Sequence, residues 1–182
     1  MAEEPIRIQP YDPAWPALFE EERVHLESVL RPWLAGAVEH IGSTAVPGLA
    51  AKPVIDIMAG VRGLSSSLDA RAAVAPLGYV YYPYRADVMH WFCKPSPARR
   101  THHLHLVPVE SPLWADRLLF RDYLRRSPGA AAKYAALKTA LAERHRSDRE
   151  AYTDAKSDFV RSILVRARRS PDDSRRASGA AD

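Results

Sequence analysis

The chain reads as an α+β protein, on three observations. Segments of strand length, rich in β-branched and aromatic residues, cluster in the first 110 residues. Apolar residues at helical spacing dominate from residue 111 onward. At 182 residues and 47% hydrophobic, the chain is long enough for one packed domain and too short to expect two. Strands gathered first and helices gathered last favour α+β over an alternating βαβ arrangement.

Taken in order, residues 5–10 form an extended lead-in, and 11–16 open a helix with proline near its first turn. Trp15, Leu18, Phe19, Leu26, Val29, Leu30 and Trp33 recur at helical spacing, so one face of this helix packs on the body. Residues 37–42 suit a short strand, and 53–61 a stronger one rich in branched side chains. Residues 65–77 read as a helix stopped by Pro76 and Gly78. Residues 79–84 and 88–94, separated by Arg85-Ala86-Asp87, read as an aromatic antiparallel hairpin, either an interface or part of the core. A loop over 95–100 leads to a further strand at 102–109. Three helices follow: 112–126, one starting at the serine cap Ser127-Pro128, and one starting at Ser147-Asp148-Arg149-Glu150, a capping-box pattern, and ending near 168. The expectation is a single domain over 1–168 and a disordered polar tail over 169–182.

The bulk properties narrow the function. The formal net charge of +4 gives no strong nucleic-acid signal, yet it suits a local pocket for an anion. No apolar run is long enough for a bilayer, and the acidic, polar start is unlike a signal peptide. Cys93 is the only cysteine, which rules out an intrachain disulfide and fits a cytoplasmic location.

Four features carry chemistry. Gly42-Ser43-Thr44 follows a short strand, where a glycine turn, exposed amides and two hydroxyls can hold phosphate oxygens, with Lys52 adding a positive charge. The spacing is not that of a P-loop. Asp56 lies inside a strand that otherwise reads as buried, so it needs a partner: a metal, a cation or backbone donors. In His102-His103-Leu104-His105, alternation puts His103 and His105 on one face, able to share a metal, accept protons or grip phosphate. Tyr134 and Lys138, like Tyr152 and Lys156, lie four apart and share helix faces. With Arg121, these lysines can form the far wall of an anion pocket. Cys93 and His90 fall on opposite strand faces and are set aside as a nucleophile–base pair.

The stretch Glu39-His40-Ile41-Gly42-Ser43-Thr44-Ala45-Val46-Pro47-Gly48-Leu49-Ala50-Ala51-Lys52-Pro53-Val54-Ile55-Asp56-Ile57 resembles the signature of the GrpB family. The likeness runs from Tyr11-Asp12-Pro13 to about Ile163 and includes Phe120-Arg121-Asp122-Tyr123-Leu124 and Tyr152-Thr153-Asp154-Ala155-Lys156. That family resembles the nucleotidyltransferase superfamily. The resemblance implies a nucleotidyltransferase-like mixed β-sheet flanked by helices, with a helical C-terminal part. It also implies a Gly-Ser turn for a nucleotide, matched by Gly42 and Ser43, and a first metal-binding carboxylate, matched by Asp56. The usual second carboxylate two residues on is here Met58, and a thioether is no ligand for magnesium.

The expected function is therefore binding of a nucleotide or other phosphorylated small molecule with a divalent metal (Mg, Mn or Zn). Asp56, His103 and His105 are the expected catalytic and metal-binding residues, and Glu39 or His40 can complete the shell or act as a base. Gly42, Ser43, Thr44, Lys52, Arg121, Lys138, Tyr152 and Lys156 are the expected ligand contacts. Nucleotidyl transfer with altered metal ligands is the expected reaction. Because some relatives are fused to dephospho-CoA kinase, the alternative is a non-catalytic accessory module linked to coenzyme A metabolism. A histidine-based metal enzyme of unrelated chemistry is the third reading.

Overall fold

The computed structural model describes residues 5–169. The expected tail, apart from Arg169, lies outside these residues. The elements are α1 (Trp15–Leu30), β1 (Leu34–Ile41), β2 (Ile55–Val61), α2 (Ala70–Val74), β3 (Val80–Tyr82), β4 (His90–Pro95), β5 (Arg100–Pro108), α3 (Pro112–Arg126), α4 (Pro128–Arg144), α5 (Arg149–Asp154) and α6 (Ser157–Arg169). The strands form one mixed sheet in the order β1-β2-β5-β4-β3. Among the described residues, only β2 and β5 run parallel. Parallel neighbours need a long crossover, and here α2, β3 and β4 supply it. The molecule is α+β, as the clustering of strand and helix patterns predicts.

Each sheet face buries a different set of side chains. On one face Ile55, Ile57, Ala59 and Val61 of β2, with Leu104 and Leu106 of β5, pack beneath Trp15, Leu26 and Leu30 of α1 and Val74 of α2. On the other, Ile41, Met58, Trp91, Cys93 and Val107 meet Leu113, Trp114 and Leu118 of α3. Gly60 permits that approach: a Cβ there would stand 2.5 Å from Val109 and 3.1 Å from Trp114. Beyond α3, the sheet face stays open and the C-terminal helices stand opposite it. Tyr134 of α4 stacks on Phe159 of α6, with ring centroids 5.1 Å apart, and both pack with Phe120 of α3. The N-terminal segment ties in through Ile6, packed with Leu141 and Tyr152, and through paired hydrogen bonds between Gln9 and Ala51.

Several boundaries differ from expectation. β1 begins at Leu34, with an irregular register between Leu34 and Val38, and α1 ends at Leu30, short of Trp33. The helix expected over 65–77 is a short helix flanked by 3-10 turns. Ser67 bonds back to the Gly63 carbonyl at 2.8 Å, a local alternative to helical pairing. The hairpin has a shorter first strand and a longer connection, residues 83–89. The last helix is two helices bent at 155–156. Its cap is Asp148 rather than Ser147, accepting from the Ala151 amide at 2.9 Å. Ser127 stands at the start of α4 without a side-chain cap bond.

Candidate functional site

The site grows from the register of three strands. Ile41 of β1 pairs with Asp56 of β2, and Asp56 pairs with His103 of β5. One step along, Met58 pairs with His105. With a side-chain period of two, Asp56, His103 and His105 must share the face opposite Ile57 and Leu104. His103 Nδ1 lies 2.8 Å from Asp56 Oδ1, and His105 Nε2 lies 3.8 Å from the same oxygen. His105 Nδ1 stands 3.4 Å from the Met89 sulfur. His102, in keeping with its position, points to the other face.

Gly42 makes room for this cluster. It has φ +71°, ψ −167°, a conformation open in practice only to glycine. A Cβ there would stand 2.5 Å from Asp56 Oδ2. The chain then enters a 3-10 turn at Ser43–Ala45, which sets Ser43 at the rim.

The electrostatics follow from burial and pairing. Burial opposes the charge on Asp56, but the hydrogen bond from His103, with His105 close by, outweighs it and holds the carboxyl well below its usual range. Burial pushes the His103 pKa down despite Asp56, and burial together with the Arg117 charge pushes that of His105 to about 3. Both imidazoles are then neutral near pH 7. With a proton on His103 Nδ1 directed at Asp56, His103 Nε2 presents a lone pair. The Nε2 atoms of both His103 and His105 are buried without a hydrogen-bond partner. Ligand atoms of Asp56, His103 and His105 all lie within 4.8 Å of one another, so one small shift brings them around a common ion. Two imidazoles and one carboxylate suit zinc, manganese or iron better than magnesium. The orphaned imidazole nitrogens fit such an ion.

This cluster opens into a cavity of about 1460 Å³, whose lining includes Ser43, Lys52, Lys138, Tyr152 and Lys156. Lys138 sits 4.8 Å from the Tyr134 ring and Lys156 4.0 Å from the Tyr152 ring, as their spacing of four predicts. Lys138 Nζ also donates to the Ala50 carbonyl at 2.5 Å. Burial, then repulsion from Lys156, pushes the Lys138 pKa down to about 7. Burial likewise takes Lys52 and Lys156 to about 8. Burial raises the phenol of Tyr152 to about 12, so it stays a neutral donor.

Other expected contacts are committed elsewhere. Arg121 donates to Glu39 at 2.7 Å, to the His40 carbonyl at 3.0 Å and to Asp122 at 2.8 Å, a buried structural clamp outside the cavity lining. The Thr44 hydroxyl donates to the Val54 carbonyl at 3.2 Å and accepts from His40 at 2.9 Å, which leaves little for phosphate. His40 stacks on Phe19 across the sheet, and Glu39 is held by Arg121, so neither joins the Asp56 cluster. Conversely, Arg117 lines the cavity with its charge against His105, a residue the sequence reading passed over. Its signal was present: it lies four residues before Arg121 on the same helix.

A family model described as GrpB protein matches residues 5–166. The chain belongs to the GrpB family. It is 43% identical over 171 residues to a UPF0157 protein of Pseudomonas aeruginosa, covering 89% of this chain and 67% of that one. The crystal structure of conserved protein GrpB from Enterococcus faecalis superposes with a TM-score of 0.79 at 34% identity, covering 88% of this chain and 96% of that one. The GrpB fold, mixed sheet and helical C-terminal part together, is thus shared with a solved relative. A dephospho-CoA kinase of Mycolicibacterium paratuberculosis is 32% identical over 198 residues, covering 92% of this chain but only 47% of that protein. No helix among the described residues is long and apolar enough to cross a membrane.

Proposed function

We propose that this GrpB-family chain binds a nucleotide or other phosphorylated small molecule together with a divalent metal, and that its chemistry is of nucleotidyl-transfer type with an altered ligand set. One observation carries the reading: one buried lysine, two half-buried ones and an Asp-His-His cluster with orphaned nitrogens line the same cavity. Three lysines partly desolvated around a single carboxylate are held at a cost that a polyanion would relieve. Asp56, His103 and His105 would hold the metal, which supplies charge neutralisation at a phosphoryl oxygen. Lys52, Lys138 and Lys156 neutralise phosphate, and Ser43 with the glycine turn donates hydrogen bonds at the rim. Met58, where a second carboxylate would stand, is fully buried, so the two-magnesium arrangement is not the one proposed.

The test is a thermal-shift titration of nucleotides with and without Mn²⁺ or Zn²⁺. A ligand that binds only the folded state raises the apparent stability. Wild type should respond to metal and nucleotide together, and Asp56→Asn should lose the metal-dependent part. An unchanged response in that variant would count against the metal site.

The match to a dephospho-CoA kinase favours a second reading, a non-catalytic module accessory to coenzyme A metabolism. Ligand binding without turnover and without a metal requirement would select it.

A further inference from the structure

One feature of the cavity is left unused by the phosphate and metal groups. Tyr82 is 47% and Tyr84 37% exposed, yet both border the same cavity as Asp56. Each meets the edge of Trp91 with ring centroids 6.1 Å apart. Trp91 itself is 5% exposed and is covered by Arg100 at 5.2 Å. Its other neighbours are His103, at 5.0 Å between ring centroids, and His105, at 6.5 Å. Trp91 therefore joins the histidine cluster to the two open tyrosines.

The register of the sheet sets these groups in a line. Met58, His105, Trp91 and Tyr82 are successive cross-strand partners on β2, β5, β4 and β3. Asp56 and His103 form the adjacent row. Three strand spacings separate β2 from β3, about 14 Å at roughly 4.8 Å each. Beyond β2, at the end of β1, stands the Ser43 turn, and Lys138, bonded to the Ala50 carbonyl, lines the same cavity with Lys52 and Lys156. One wall thus runs from phosphate-binding groups, through metal ligands, to aromatic rings. Its length is comparable with that of an extended nucleoside triphosphate.

Resting on the reading above, we propose that Tyr82 and Tyr84 form a nucleobase subsite, which makes the ligand a nucleotide rather than a phosphorylated molecule without an aromatic group. The base stacks on the two tyrosine rings while the phosphates lie across the Asp56 cluster toward the lysines. Stacking tolerates any base, so the subsite selects for nucleotides more than among them. Trp91 is a positioning residue: it sets the tyrosine edges and is itself too covered to stack.

The test is calorimetric titration, in the presence of Mn²⁺, of two probes: ATP and inorganic tripolyphosphate. Wild type and the variants Tyr82→Ser and Tyr84→Ser are compared. Both tyrosines are exposed, and circular dichroism checks that each variant is folded. Wild type should bind ATP at least about fivefold more tightly than tripolyphosphate, the low end of what one stacked ring contributes. The variants should lose that preference and keep their tripolyphosphate affinity. Equal affinity of wild type for both probes, or a preference that survives in both variants, would overturn the subsite and leave the phosphate and metal reading standing. Failure of wild type to bind either probe would overturn both.

Discussion

At the scale of single residues, Gly42 carries two constraints at once. Its φ of +71° disfavours any L side chain, and its missing Cβ leaves the space taken by Asp56 Oδ2. Gly48 separates these effects, because it has φ +76° but nothing within 4 Å of a built Cβ. Gly48→Ala should therefore cost about 1 kcal/mol from backbone strain alone. Gly42→Ala should cost about 2–3 kcal/mol, since the carboxylate must also move. Urea denaturation of both variants measures the difference. Equal costs would mean that Asp56 is not fixed where the geometry puts it. The displaced carboxylate should also weaken the metal response in Gly42→Ala, while Gly48→Ala keeps it.

Among the elements, β2 and β5 decide the chemistry, because their parallel register sets every side chain on the open face. Met58 lies on the same face as Asp56 and is fully buried with Ile41, Trp91 and Val107. Restoring a carboxylate by Met58→Asp should therefore destabilise the protein by about 3 kcal/mol or more, read from the urea midpoint, because the new charge enters an apolar layer. Wild-type stability in that variant would mean that the layer admits water and could accept a second metal. This face was legible in the sequence: the alternation of His103, Leu104, His105 and Leu106 assigned the histidines to one side, and the branched run at 53–61 marked β2, the strand beside them. The Tyr134–Lys138 and Tyr152–Lys156 pairings were legible too, since helical spacing is local. What sequence could not supply was the long-range partners. Arg121 is claimed by Glu39, 82 positions away, and Thr44 by the Val54 carbonyl, 10 positions away. No local pattern announces either bond. The bend at 155–156 escaped notice for a like reason: the residues there are ordinary helix formers, and packing redirects the chain. The cap at Asp148 was misplaced by one residue because Ser147 and Asp148 are both good caps.

On the scale of the whole molecule, the open sheet face and the C-terminal helices enclose a hollow that concentrates positive charge around one carboxylate. Lys52, Lys138 and Lys156 reach it from the loop before β2, from α4 and from the bend between α5 and α6. Their depressed pKa values, about 8, 7 and 8 against an ordinary 10.5, make two linked predictions. Between about pH 7 and 10.5 the unfolded chain holds protons that the folded one has released. These lysines therefore weaken the ligand-free fold most below pH 7, and their penalty fades as pH rises through that window. Lys138→Met should flatten this rise in melting temperature. A bound polyanion acts in the opposite sense, because it favours charged lysines. Tripolyphosphate should thus raise the melting temperature most near pH 7, and its effect should shrink by pH 9 as Lys138 and then its two neighbours lose their protons. A melting series across pH 6.5 to 9.5, with and without tripolyphosphate, reads both effects in one experiment. An anion-induced shift that stayed constant to pH 9.5 would place the bound charge away from these lysines. A shift that vanished in Lys138→Met at every pH would instead make that single ammonium the dominant contact, and the other two lysines bystanders at the rim.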